Sequence, residues 1–324
     1  MKDVAALPAA KQVDAVAKKL QQLNPGFDGR VASKFEKDLV TDFRFVANNV
    51  TDISPVRALV ELKILTCSGS GSDKSKLSDL SPLRGMTLTS LVCSHNPVSD
   101  VSPLKGMPLT SLNCRGTKID RLSPLQGMPL TTLDCSSTRV SDLSPLKGMP
   151  LTTLACGTTN VSDLSPLKGM QLTSLDCGST LIADLSPLSG MPLTKLVCGH
   201  TKVFDLSPLH RMPLMYLSCG YSQVLDLSPL KGMPLTTLLC STTNVSDLSP
   251  LQGMPLVTVS CHDTQVSDLS PLQSCKKLSS LRIAHTKVTP AGVAALQKAL
   301  PNCKIQWSDP AKSKAIQPAA SDTE

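Results

Sequence analysis

Ten cysteines constrain what this chain can fold into. They are Cys67, Cys93, Cys114, Cys135, Cys156, Cys177, Cys198, Cys219, Cys240 and Cys261, and after a first interval of 26 residues every interval is 21. A fixed period in the twenties marks a solenoid, in which one small unit stacks on copies of itself. One unit, LTTLDCSSTRVSDLSPLKGMP from Leu130 to Pro150, has near-copies on both sides. The alternation Leu133-Asp134-Cys135 gives a strand of two or three residues with Leu and Cys pointing inward. Ser144-Pro145-Leu146 starts a short helical turn, which Ser can cap and whose first position suits Pro. Gly148 supplies a left-handed exit. One coil cannot bury its apolar edge alone, so coils stack at about 4.8 Å per strand.

The frame L-x-x-L-x-C-x-x-T-x-V, with Cys in the third apolar slot and Thr in the ladder slot, resembles the short bacterial leucine-rich repeats of the internalin kind. The resemblance covers residues 38 to 307. It implies an α/β repeat solenoid: a right-handed leucine-rich-repeat horseshoe with short parallel strands, helical turns or loops on the convex side, and helical caps. Phe43 to Val50 and Leu281 to Val288 also fit the frame, which brings the ten Cys coils to twelve. The expected organisation is a helical cap over 1–37, a solenoid over 38–288, a helix–strand cap over 289–307 and a disordered tail over 308–324. In the first cap, Val13, Val16, Ala17, Leu20 and Leu23 recur at helical spacing. The insertion SGSGSDKSK, Ser68 to Lys76, has the composition of a flexible loop and lacks phosphate-loop spacing. N-P-G-F-D-G before the array and A-L-Q-K-A-L-P-N-C-K-I-Q-W after it resemble repeat modules of environmental bacteria that often follow a Ser/Thr kinase domain. The chain has no kinase motifs of its own.

Composition narrows the function. Aromatics make up 2% of the chain, too few for stacking platforms on single-stranded nucleic acid. The formal charge of +7 is spread along the sequence rather than gathered in a basic patch. No apolar run reaches membrane-spanning length, and the N-terminus does not read as a secretory signal. A cytoplasmic protein with reduced thiols is therefore expected, monomeric, with no cofactor, no nucleic-acid partner and no membrane insertion.

The repeated polar columns have local explanations. Thiols on parallel strands point the same way, which suits neither tetrahedral zinc nor an unstrained disulfide, so they read as small core fillers. The aspartates Asp52, Asp79, Asp100, Asp142, Asp163, Asp184, Asp205, Asp226, Asp247 and Asp268, broken by Arg121, precede each turn and read as caps rather than calcium ligands. Arg84, Lys105, Lys147, Lys168 and Lys231 form a cation column five positions on. The five histidines have no ligand spacing. Because the same contexts recur in every coil, no unique convergent site is visible, and a non-enzyme is expected.

What remains is a protein-binding scaffold, with a kinase-linked sensing segment or a surface adhesion module as alternatives. Binding energy concentrates in Tyr, Trp and Arg. Between residues 46 and 306 the aromatics are Phe204, Tyr216 and Tyr221, where the repeat departs most from its consensus. Phe204 and Leu225 replace the Ser of Ser141 and Ser162, and Leu181 takes a slot held elsewhere by Lys, Arg, Asn or Gln. Lys195 and Tyr216 are expected on the strand face, with His200 and Tyr221 near its edge. Residues 174 to 226 are therefore the candidate partner-binding patch, and the alternative is neutral drift in surface slots.

Overall fold

The computed structural model describes residues 2–71 and 74–309. The chain divides into two compact units, Met1–Leu172 and Thr173–Glu324. The first begins with helix α1 (Ala9–Leu23), which buries Val13, Val16 and Leu20 at the expected spacing. Asn24 closes it. Its side chain donates to Leu20 O and Asp52 O and accepts from the backbone N–H groups of Thr51 and Asp52, tying the cap to the first coil.

Two strands follow, β1 (Val31–Glu36) and β2 (Leu39–Val46), paired antiparallel. Lys37 and Asp38 both take left-handed backbone angles between them, the geometry of a tight hairpin turn. Strand β1 falls where the sequence suggests only a helical cap, and only half-buried Val31 and Ser33 mark its inward face. From β2 onward the strands are parallel and follow chain order: β3 (Ile64–Ser68), β4 (Ser90–Val92), β5 (Ser111–Asn113), β6 (Thr132–Asp134) and β7 (Thr153–Ala155). The described residues of the insertion after β3 are tied down. Ser70 donates to Asn48 Oδ1 through both its backbone N–H and its hydroxyl, and Ser75 bridges to Asn48.

The second unit continues the pattern with β8 (Ser174–Asp176), β9 (Lys195–Val197), β10 (Tyr216–Ser218), β11 (Thr237–Leu239), β12 (Thr258–Ser260) and β13 (Ser280–Arg282). Helix α2 (Pro290–Ala299) begins at Thr289, whose hydroxyl accepts from Gly292 N–H, and β14 (Lys304–Gln306) pairs parallel with β13. The tail expected to be disordered lies outside the described residues from 310 on.

Each coil is held by three devices. Its apolar column is sealed: in one coil Leu130, Leu133, Cys135, Val140, Leu143, Leu146 and Met149 are all buried. Burying one such Leu contributes about 2 kcal/mol, so most of the stability lies here. Next, a buried hydroxyl closes the bend after the strand, as Thr138 donates to Cys135 O at 2.6 Å. Lastly, Asp142 holds the 3-10 turn Ser144–Leu146, with Oδ1 accepting from Ser144 N–H and Oδ2 from the Ser144 hydroxyl, both within 2.8 Å. The cap is thus the Asp, as its column suggests, and the Ser, which the sequence also offers as a cap, is its donor. Those two bonds hold the Asp142 carboxyl below its ordinary value. Gly148 leaves the turn at φ 73°, a left-handed angle that suits glycine.

Candidate functional site

All seven sequence-derived candidates lie in the second unit, on three different strips of the coil rather than in one patch. The first strip is the strand face. Lys195 on β9 and Tyr216 on β10 are register partners, and Lys195 Nζ sits 5.5 Å from the Tyr216 ring centroid, within cation–π range. Two residues absent from the sequence reading share this strip. Met215 and Val257 are exposed apolar side chains in a column otherwise held by Thr110, Thr131, Thr152, Thr194 and Thr236. Those threonines donate their hydroxyls to the carbonyl one coil back, as Thr194 does to Thr173 O at 3.1 Å and Thr236 to Met215 O at 2.9 Å. Met215 and Val257 cannot. The signal was in the column, but it was a loss of hydroxyl rather than a gain of ring.

The second strip is the bend after the strand. His200 and Tyr221 stack with centroids 4.1 Å apart and planes 10° from parallel. Both have φ 55°, in a column of left-handed residues that includes Ser137, Thr158, Thr242, Asp263 and His285. Side chains larger than Asn or Gly are uncommon there because Cβ crowds the backbone. The column therefore holds its rings at the expense of backbone strain.

The third strip lies between the bend and the 3-10 turn. Leu181, Phe204 and Leu225 are 51%, 60% and 61% exposed. Phe204 walls a hollow of about 200 Å³ shared with Ala183, Asp184, Leu185, Asp205 and Pro208. Leu225 stands one coil further in the same column.

The other candidate chemistries are local. All twelve cysteines are buried thiols outside any disulfide. Burial pushes the thiols of Cys93, Cys135, Cys198 and Cys240 up to about 12, so they are neutral and unreactive at physiological pH. His262 and His285 approach the two oxygens of Asp263 through Nδ1 at 2.7 and 2.9 Å, which holds that carboxyl below its ordinary value. Among the described residues, no three His, Cys, Asp or Glu side chains are arranged to hold a metal ion. No helix among them is long and apolar enough to cross a membrane.

Parallel strands at a 21-residue period, 3-10 turns opposite them and small caps define a leucine-rich-repeat fold. Solved structures agree. An internalin from Listeria monocytogenes matches with a TM-score of 0.76 and 24% identity over 94% of each chain. A leucine-rich-repeat protein of Leptospira interrogans matches with a TM-score of 0.60 and 17% identity, over 79% of this chain and 81% of that one. The leucine-rich-repeat ectodomain of a plant receptor kinase from Arabidopsis thaliana, solved in complex with Casparian strip integrity factor 2, matches at 0.65 and 14% identity, over 93% of this chain and 44% of that one. No protein-family model matches the chain. No curated protein matches it by sequence.

Proposed function

We propose that this chain is a non-catalytic scaffold for protein–protein recognition, and that the second unit carries the recognition surface. The observation behind this reading is the stacking of exposed rings and apolar side chains in consecutive coils: Lys195 on Tyr216, His200 on Tyr221, and Phe204 beside Leu225. The backbone beneath them is the same as in coils whose corresponding slots hold Ser and Thr. Rigid aromatic anchors on a preorganised frame give much binding energy for little lost freedom. Twelve buried thiols outside any disulfide support a reducing compartment.

The test is quantitative capture of partners from the source cells on two baits, the native chain and a Phe204→Ser/Tyr216→Thr/Tyr221→Ser variant. Each substitution installs a residue found in the same column of another coil, so the fold is kept. A partner held by the native bait and bound at least about 30-fold more weakly by the variant, the loss of roughly one strong anchor, supports the reading. Identical capture by both baits rejects the placement of the surface.

A further inference from the structure

The Phe204 hollow has a counterpart in the first unit. Moving back four coils, 84 residues, converts Ala183, Asp184, Leu185, Phe204, Asp205 and Pro208 into Ser99, Asp100, Val101, Asp120, Arg121 and Pro124. Those six residues, with Ser123, line a hollow of about 320 Å³. In the first unit the chain therefore places its own guanidinium-bearing side chain, Arg121, in the wall beside the carboxylates Asp100 and Asp120. In the second unit the wall has Asp205 at the Arg121 position and the Phe204 ring at the Asp120 position, with Asp184 opposite. The cation is gone, and an aromatic ring has been added.

One neighbouring cation has also been removed. The bonds from Ser102 chiefly lower the Asp100 carboxyl, and the charge of Arg84 adds to them. By the same 84-residue shift Arg84 corresponds to Lys168, so a cation is kept on the Asp184 side, whereas Lys105 corresponds to Ser189 and Gln126 to His210.

The two carboxylates are held in place and have acceptor capacity to spare. Asp184 accepts from the backbone N–H and hydroxyl of Ser186, and Asp205 from those of Ser207, all at 2.7 Å. A carboxylate has about four lone-pair sites, so roughly half remain open. The ring of Phe204 is exposed for stacking. A planar cation that can stack on a ring and fork its N–H donors to a carboxylate matches both features, and that describes arginine better than lysine.

We infer that the Phe204 hollow receives an arginine side chain of the protein partner, held between the Phe204 ring and the carboxylates of Asp184 and Asp205. The inference rests on the recognition reading above and names the chemistry that one strip of that surface selects.

The experiment uses the full chain and four blocked pentapeptides, acetyl-Gly-Gly-Xaa-Gly-Gly-amide, with Xaa arginine, lysine, leucine or citrulline, the last being a neutral shape-mimic of arginine. Amide chemical shifts at residues 183–185 and 204–208 report binding. The arginine peptide is expected to bind saturably with a Kd in the millimolar range, to weaken in 0.5 M salt, and to lose at least about fivefold affinity in Phe204→Ser. The citrulline and leucine peptides should leave those shifts unmoved. No response to the arginine peptide at about 20 mM, or equal binding of any other peptide, overturns the inference. Shifts remote from the hollow in the variant confirm its fold. If a bait carrying only Tyr216→Thr/Tyr221→Ser loses the captured partner, the recognition reading survives the loss of this one.

Discussion

The two hollows differ at four of six matched lining positions on one backbone plan, and the contrast separates what the repeat requires from what it leaves free. Both are lined by an Asp before one 3-10 turn, Asp100 or Asp184, and by a Pro of the next turn, Pro124 or Pro208. Beneath both, Leu and Cys columns are buried. The exposed slots differ: Asp120 and Arg121 in the first unit, Phe204 and Asp205 in the second. At Arg121 even the capping carboxylate is lost, yet Ser123–Leu125 forms the same 3-10 turn. The interior sets the coil, and the exposed columns vary independently of it.

The strongest test of that separation is alkaline pH, which should strike both units alike. The buried thiols are neutral in the folded chain, with four raised to about 12 from an ordinary 9.0. Because the folded value is raised, their contribution is fully present below about pH 9 and is lost as pH rises through the folded value. Urea midpoints should hold to about pH 8.5 and fall steeply above 9, with thiol alkylation tracking unfolding. Rapid alkylation of the native chain at pH 8 would show that the column is open to solvent.

A narrower version compares matched core residues. Leu154→Ala in the first unit and Leu196→Ala in the second should each cost about 3 kcal/mol by denaturant titration. Both side chains are sealed at equivalent strand positions. A difference above about 1 kcal/mol would mean that the variant surface of the second unit reaches into its packing.

Transplanting the hollow gives a smaller effect. Phe204→Asp/Asp205→Arg rebuilds the first unit's lining in the second. It should reduce arginine-peptide affinity at least tenfold, about 1.4 kcal/mol, and leave the turn intact, as the first unit does. Titration by chemical shift reads both outcomes.

The smallest effect is a gain. Arg211 has φ 62° in the slot where other coils place Gly85, Gly106, Gly127, Gly148, Gly169, Gly190, Gly232 and Gly253. Arg211→Gly should stabilise the chain by about 1 kcal/mol, since a left-handed angle is strained for any side chain. Gly148→Arg should reverse it in a coil of the first unit. Unchanged urea midpoints in both variants would place the strain elsewhere.

The array was legible in the sequence because every coil solves the same packing problem and so repeats the same residues. Strand β1 was not, because it pairs antiparallel outside the frame and exposes most of its side chains. The Asp column was legible as capping. That the neighbouring Ser donates rather than caps needed the geometry of Asp142 and Ser144. Among the candidate residues, the stacking of His200 on Tyr221 follows from their 21-residue separation, which places them in one column. The strand face and its edge were told apart in the sequence, whereas the hollow walled by Phe204 was hidden, because the period says which residues share a column but not what surrounds them. Met215 and Val257 were missed because their change removed a hydroxyl without adding a ring.

The uniform coil-to-coil contact also bears on how such a chain can change length. Leu130–Pro150 meets neighbours that present almost the same residues as each other. Excising 21 residues would therefore join like to like, with every Leu, Cys and Asp column in register. Smaller changes of length must be absorbed in the loops between strands, as in the 26-residue step from Leu65 to Leu91 and the 22-residue step from Val259 to Leu281, both of which keep the buried column in register. Adding or removing whole coils far from a recognition strip would move that strip along the array without touching it.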